Sequence, residues 1–240
     1  MLITGGGSGL GRAMALGFAC YGANIVILDR DKSAADASAG EIAGRFKKPT
    51  HAFACDVSDE AAVAMAVAET LQAVPKVDVF VNNAGHNIRK PLLEYSLDEF
   101  DSLHNVHVRG TFLMSRAIDR SMRDRKSGVI INIASILGHV AAPHVAPYAA
   151  AKAAIIQLTK VLALELAPDV RVNAIAPGYI DTPLTRQHAP EVRKRITETA
   201  PLGRFGEAHE LIGPAVFLAS QASSFVTGTS LIVDGGWTAK

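Results

Sequence analysis

The chain has 240 residues, 49% of them apolar (AVILMFWYC) and 20% charged, with 24 Lys+Arg against 23 Asp+Glu. A chain of that length buries roughly 70–75% of the surface it exposes when unfolded, so a compact core needs no disulfide or metal, and the apolar fraction excludes a disordered chain. A formal net charge of +1 exerts no general pull on nucleic acid or anionic lipid, so neither is an expected partner.

The short basic runs Lys47-Lys48 and Arg193-Lys194-Arg195 read as solvated faces. Two cysteines, Cys20 and Cys55, are too few for a disulfide framework and point to a reducing, cytoplasmic setting. Residues 127–151 and 211–233 lack Asp, Glu, Lys and Arg, but Asn132, Pro143, Pro214 and Gln221 interrupt them. Buried strands and helices explain both stretches better than membrane spans. No basic segment precedes an apolar run at Met1, so no secretory signal is expected.

In chain order, the N-terminal Met1-Leu2-Ile3 is short for a central strand of typical length, so the start is either truncated or a clipped strand. It runs into Thr4-Gly5-Gly6-Gly7-Ser8-Gly9-Leu10-Gly11, ahead of a helical pattern over 9–21. Glycines let a backbone turn tightly against a pyrophosphate whose charge then rests on the helix N-terminus. Here Gly5, Gly9 and Gly11 are spaced GxxxGxG, a weak signal alone that its strand-to-helix setting strengthens.

A strand over 24–29 ends in Asp29, whose carboxylate suits the adenosine ribose hydroxyls and would repel a 2′-phosphate. That favours NAD over NADP. Arg30 is the competing signal, because its guanidinium could pair with a 2′-phosphate. Further strands are expected over 50–56, 77–82, 128–134, 170–176 and 229–234, and helices over 33–46, 59–73, 96–123, 147–166 and 207–219. Runs such as Ile25-Val26-Ile27-Leu28 are apolar throughout, as in parallel strands buried on both faces. Asp59 is a good N-cap, and Ser96 with Glu99 spells a capping box. Alternating strands and helices give right-handed βαβ units, hence an α/β, doubly wound parallel sheet of about seven strands in one domain. The interval 178–206, with Pro183, Pro190 and Pro201, is too long for an ordinary connection and is expected to form a mobile substrate flap.

At the other end of the expected site, Tyr148 and Lys152 lie four apart on one helix face. An ammonium beside a phenol favours phenolate and lowers its pKa toward a range usable in proton transfer. Ser135 follows the strand 128–134, at the carboxyl edge where ligands bind in open α/β sheets.

Taken together, Thr4–Gly11, Asp29, Asn82-Asn83-Ala84-Gly85, Ser135 and Tyr148-x-x-x-Lys152 closely resemble the short-chain dehydrogenase/reductase family, from Met1 to Val233-Asp234-Gly235-Gly236. The resemblance implies a single Rossmann-type NAD(P)-binding domain over 1–240. It implies a dinucleotide resting on Gly5, Ser8, Gly9, Leu10 and Gly11, with Asp29 and Arg30 at the adenosine ribose. Asp56 and Val57 would lie by the adenine, Asn83, Ala84 and Gly85 along the cofactor, and Pro177, Gly178, Ile180 and Thr182 at the nicotinamide. Tyr148 would be the general acid/base, Lys152 would lower its pKa and bind the nicotinamide ribose, and Ser135 would position the reacting oxygen.

The chain departs from the family where an asparagine is common in N-x-x-G-T-F. Here the segment reads His107-Val108-Arg109-Gly110-Thr111-Phe112. An imidazole titrates near neutrality and can hold a relay water, so His107 is a candidate catalytic residue that would alter the pH profile, with a packed helix histidine as the bland alternative. His104 with His107, and His139 with His144, lack any metal-ligand pattern, so no metal is expected.

His86, Asn87, Arg89, His139, His144 and Ser135 are candidate substrate contacts, and Arg89 or Arg186 could meet a carboxylate. Residues 85–91 and the C-terminal half are similar to gluconate 5-dehydrogenases and related sugar or polyol dehydrogenases. The expected activity is NAD-dependent hydride transfer between the alcohol or ketone of a sugar, polyol or sugar acid and the nicotinamide. A 3-oxoacyl-acyl-carrier-protein reductase is the alternative, and a non-catalytic NAD-binding regulator a third reading. The family's habit implies a homotetramer, or a homodimer, assembled through helices 96–123 and 147–166.

Overall fold

A computed structural model describes residues 1–183, 185–187 and 189–239. In chain order the elements are β1 (Leu2–Thr4), α1 (Gly9–Cys20), β2 (Ile25–Asp29), α2 (Lys32–Phe46), β3 (Thr50–Ala54), α3 (Glu60–Ala73), β4 (Val79–Asn82), α4 (Leu97–His104), α5 (Gly110–Arg123) and β5 (Gly128–Ile133). They continue with α6 (Ala146–Glu165), β6 (Val170–Pro177), β7 (Ile180–Asp181), α7 (Pro190–Thr199), β8 (Gly206–Glu207), α8 (Ile212–Ala219) and β9 (Ser230–Val233).

Seven strands form one parallel sheet in the order β3-β2-β1-β4-β5-β6-β9. The chain winds outward from β1 to β3, then returns to lay β4 on the other side of β1. That reversal opens a crevice above the carboxyl ends of β1 and β4, the place where a doubly wound sheet binds its ligand. Although β1 has three residues, it pairs Leu2 with Val26 and Ile3 with Ile27 on one side and Leu2 with Phe80 on the other.

Alternation sends side chains to two cores. Leu2, Val26, Leu28 and Ile130 pack under Val63 of α3, Met114 of α5 and Leu162 of α6. Ile3, Ile25, Ile27 and Ile131 pack under Met14 of α1, Ile42 of α2 and Leu218 of α8. The caps at α3 and α4 form as the sequence spells them. Asp59 accepts from the Ala61 and Ala62 amides, and Ser96 with Glu99 completes a reciprocal capping box.

The structure adds detail to two expected elements. Residues 97–123 are helical throughout, but a π turn over Asn105–Arg109 interrupts the α ladder between α4 and α5 and carries His107 into the interior. Such widened turns concentrate at functional sites. The interval 178–206 holds a helix, α7, started by Pro190 at a position where the missing N–H costs nothing. The β7–β8 ladder closes its base, and Asp181 pairs with both Arg186 and Arg193. Among the described residues, no helix is long and apolar enough to cross a membrane.

Candidate active site

Thr4 ends β1 and Asn83 follows β4, and their hydrogen bonds bind the two sides of the crevice. Thr4 Oγ1 accepts from the Asn83 and Ala84 amides (3.0 and 3.1 Å), while Asn83 Nδ2 donates to the Thr4 and Gly5 carbonyls (2.9 and 3.1 Å). Gly5 has φ +65°, and a Cβ there would sit 2.9 Å from Ala84 Cα. Gly11 serves packing: its Cβ would lie 2.1 Å from the Gly5 carbonyl oxygen, so only glycine lets α1 start this close to the loop. Gly9, at φ +52°, faces open space.

Above this loop lies a cavity of about 370 Å³ that reaches from Asp29, Arg30 and Asp56 at one end to Ser135, Tyr148 and Lys152 at the other. It brings together the expected Gly5, Ser8, Gly9, Leu10, Val57, Asn83, Ala84, Gly85, Pro177, Gly178, Ile180 and Thr182, while Gly11 stands behind its wall. Cys55, Val106, Ile133, Pro183 and Thr185 also line it. These were missed because wall positions contributed through packing carry no motif. Burial, with the Asp56 and Asp59 charges, pushes the Cys55 thiol up to about 12, which leaves it unreactive.

At the far end, Asp29 accepts from the Gly7 amide on one oxygen and the Asp31 amide on the other, each at 3.0 Å. The carboxylate is thereby aimed before any ligand arrives. Asp56 is held below the usual carboxylate range by hydrogen bonds from the Ser58 hydroxyl and amide, assisted by the Arg30 charge.

At the reactive end, β5 delivers Ser135, whose Oγ accepts from the Leu137 amide at 3.1 Å. Helix α6 begins at Ala146 with Pro147 in its first turn and sets Tyr148 and Lys152 one turn apart. Lys152, only 4% exposed, donates to the Ile133 carbonyl at 2.7 Å, with Nζ 5.6 Å from the Tyr148 ring centre. Burial pulls its ammonium down to about 7. Burial pushes the Tyr148 phenol up to about 12, a hydrogen bond with Ser135 opposing and Tyr179 reinforcing the rise. Burial is thus the largest influence on both groups in the cofactor-free site.

His107 fits the packed alternative, at the wall of the first cavity. It is 2% exposed, its Nε2–H donates to the His86 carbonyl at 2.7 Å, and its Nδ1 is buried with no partner. Burial first, and the Lys152 charge second, hold its pKa well below 6.5, so it is neutral rather than titrating near pH 7.

A second cavity of about 310 Å³ shares Ser135, Tyr148, Gly178 and Thr185 with the first and adds Asn87, Arg89, Tyr179 and Gln187. Ser135 and Tyr148 stand where the two meet. Four expected substrate contacts do not line the second cavity. His86 lines the first cavity and meets Ser102, His139 bonds to Ser230, His144 is exposed, and Arg186 is taken by Asp181. Tyr179 and Gln187 were not anticipated, since β7 and the turn Thr185–Gln187 reach the cavity only through the fold of the 178–206 interval.

A long cavity over a glycine turn, with an aimed carboxylate at one end and a Ser–Tyr–Lys set at the other, fits a nicotinamide dinucleotide, NAD or NADP. The glycines leave room for its pyrophosphate, and Asp29 presents acceptors for a ribose. Such a site on a doubly wound sheet defines a dinucleotide-dependent oxidoreductase class. A family model described as enoyl-(acyl carrier protein) reductase matches residues 5–238. The gluconate 5-dehydrogenase of Gluconobacter oxydans (strain 621H) is 39% identical over 241 residues, covering 99% of this chain and 93% of the relative. A gluconate 5-dehydrogenase structure from Burkholderia cenocepacia J2315, in complex with NADP and tartrate, superposes with TM-score 0.96 at 39% identity, covering 100% of this chain and 94% of that one. A 3-ketoacyl-(acyl-carrier-protein) reductase from Brucella melitensis, complexed with NADH, gives TM-score 0.93 at 40% identity over 99% and 97% of the two chains. The chain belongs to the short-chain dehydrogenase/reductase family. It is an oxidoreductase acting on the CH–OH group of a secondary alcohol, or on the corresponding ketone.

Proposed function

We infer that the protein is an NAD-preferring dehydrogenase of a sugar acid, with a neutral sugar or polyol as the related alternative. The observation that carries this reading is the second cavity, where Arg89, Asn87 and Gln187 offer a cation and two amides beside Ser135 and Tyr148. An apolar acyl chain would leave those groups unpaired, at a cost that discriminates strongly against it. Asp29, with both oxygens already aimed by backbone amides, supports NAD.

When bound, the dinucleotide accepts or supplies the hydride. The chain's own groups do the rest. Ser135 Oγ orients the substrate oxygen, and Tyr148 takes or returns its proton at the phenol oxygen. The Lys152 ammonium, fixed on the Ile133 carbonyl, stabilises the phenolate together with the positive charge that an oxidised nicotinamide would bring, against the rise that burial imposes on the phenol.

The expected setting is a reducing cytoplasm, supported by two unpaired cysteines. The expected assembly is a homotetramer, or a homodimer, supported by apolar side chains left exposed on α5 and α6, Phe112 and Leu164 among them. Small-molecule substrates, rather than nucleic acid or membrane, are the expected partners.

The test is turnover of hexonates, polyols, hydroxy acids and an acetoacetyl thioester with NAD and with NADP. The expected result is activity on a hexonate with NAD, reduced about 10²–10⁴-fold in Tyr148→Phe. A clear preference for the thioester selects the acyl-carrier reductase reading, and undiminished activity in Tyr148→Phe overturns the mechanism.

A further inference from the structure

Four buried polar side chains form a continuous bridge across the face of the sheet under α5 and α6. Asn82 of β4 donates through Nδ2 to Ser115 Oγ of α5 (3.1 Å) and to Asn132 Oδ1 of β5 (2.9 Å). Asn132 Nδ2 donates to Thr159 Oγ1 of α6 (2.9 Å), and Thr159 Oγ1 donates to the Ile155 carbonyl one turn back (2.8 Å). Asn132 is wholly buried, Thr159 and Ser115 are nearly so, and Asn82 is 6% exposed.

The bridge has a geometric relation to the reacting groups. Tyr148, Lys152, Ile155 and Thr159 recur at helical spacing along α6 and so form one stripe toward the sheet. Lys152 and Thr159 are two turns apart, about 10 Å along the axis. Their partners on the sheet are neighbours in sequence: Thr159 meets the Asn132 side chain, and Lys152 meets the Ile133 carbonyl. One strand segment therefore holds the helix at two points.

Helix α6 needs such a hold. Its sequence, Ala-Pro-Tyr-Ala-Ala-Ala-Lys-Ala-Ala-Ile-Ile, puts small side chains around the reacting groups. Apolar contact is non-directional, and a smooth alanine face resists sliding poorly. A hydrogen bond is directional, and a buried amide left unpaired by a slide is costly. The groups facing Lys152 are themselves sensitive to that height: Tyr148 from its own helix, His107 from the π turn, and the Ile133 carbonyl from β5.

We propose that Asn132 and Thr159 are positioning residues, whose bond fixes the height of α6 over β5 and thereby holds Lys152 on the Ile133 carbonyl and Tyr148 at the junction of the two cavities. Asn82 and Ser115 extend the same hold to α5, the helix that continues from the turn carrying His107.

The decisive comparison is Thr159→Val, which keeps shape and removes the hydroxyl, with Thr159→Ser, which keeps it. Turnover is measured on whichever substrate the wild type uses. Thr159→Val is expected to lower kcat by about 10- to 100-fold, the scale of a 1 Å misplacement. It leaves KM for the dinucleotide within about threefold, while Thr159→Ser restores kcat.

A second measurement needs no substrate and so stands apart from the functional reading. The melting-temperature difference between the Lys152 protein and Lys152→Met is followed against pH, in the wild-type and Thr159→Val backgrounds. The pH at which that difference begins to shrink reports the folded Lys152 ionisation and is expected to move upward by about one unit in Thr159→Val, as the freed ammonium gains water. Should Thr159→Val fail to fold, Thr159→Cys, with its weaker hydrogen bond, takes its place and is expected to fall between the two. Lower stability with unchanged kcat and an unmoved onset would show a merely structural bridge and overturn the proposal.

Discussion

The His107 imidazole stands edge-on to the Tyr148 ring, with 5.4 Å between centroids and 85° between planes, while its own Nε2–H is spent on the His86 carbonyl. That arrangement fixes the tautomer and keeps the ring neutral. Unfolded, this histidine would take a proton near pH 6.5, whereas folded it does not. The unfolded state thus binds more protons below that pH, and stability falls as pH falls through 6.5. His107→Asn is expected to flatten this acid loss in urea titrations from pH 7.5 to 5.5, and to introduce no new ionisation into the pH–rate curve over that range. An acid limb that disappears with His107 would show that the ring titrates during turnover. His107→Leu, which strands the His86 carbonyl, is expected to cost about 1–3 kcal/mol.

Gly85 makes room for that ring. A Cβ on Gly85 would lie 2.2 Å from His107 Cε1 and 2.8 Å from Nδ1. Gly85→Ala is therefore expected to destabilise by about 1–3 kcal/mol through overpacking. The shorter side chain in Gly85→Ala/His107→Asn should relieve a good part of the loss. A double-mutant cycle by chemical denaturation reads the coupling, and strict additivity would contradict the contact.

Lys152 is a buried cation whose pKa falls from 10.5 to about 7. Between pH 7 and 10.5 the unfolded chain holds a proton that the folded chain has released, so the burden is full below pH 7 and is relieved as pH rises toward 10.5. Replacing it by an apolar side chain of similar reach, Lys152→Met, is expected to stabilise the dinucleotide-free protein at pH 6 by about 1–3 kcal/mol while destroying turnover. The gain should shrink steadily toward pH 9. Equal stability of the two proteins across that range would place the ammonium in contact with water.

Asp29 is the lever on cofactor choice. Asp29→Asn removes the charge that opposes a 2′-phosphate, and the ratio of NADP to NAD affinity is expected to rise by about tenfold, the equivalent of ~1.4 kcal/mol. Arg30→Ala in that background should reverse most of the gain. Fluorescence titrations with the reduced forms, NADH and NADPH, give both constants, and an unchanged ratio in Asp29→Asn would remove the carboxylate from the ribose site.

Much of this protein is written locally. The run Ile25-Val26-Ile27-Leu28 demands a strand covered on both faces, and its alternate residues enter the two cores as the pleat requires. Ser96 and Glu99 spell their capping box over three residues, and Tyr148 with Lys152 shares a helix face because the helical period puts it there. The glycine turn before α1 follows from steric limits on backbone angles, which are local too. From such signals the doubly wound sheet, the crevice and the Ser–Tyr–Lys set are legible.

Other features depend on partners far away in the chain. No pattern within 96–123 announces the π turn that buries His107, because its reward is a bond to His86 on another segment. Arg89 and Gln187 share a cavity only after β4 and the 178–206 interval have been brought to the same edge of the sheet. Asn132 and Thr159 are ordinary polar residues until α6 lies over β5 and closes their bond. The ionisation of Tyr148 and Lys152 belongs to this second kind as well. Sequence placed the ammonium beside the phenol, but the loss of water around both, which pushes one up and the other down, is a property of every atom packed against them.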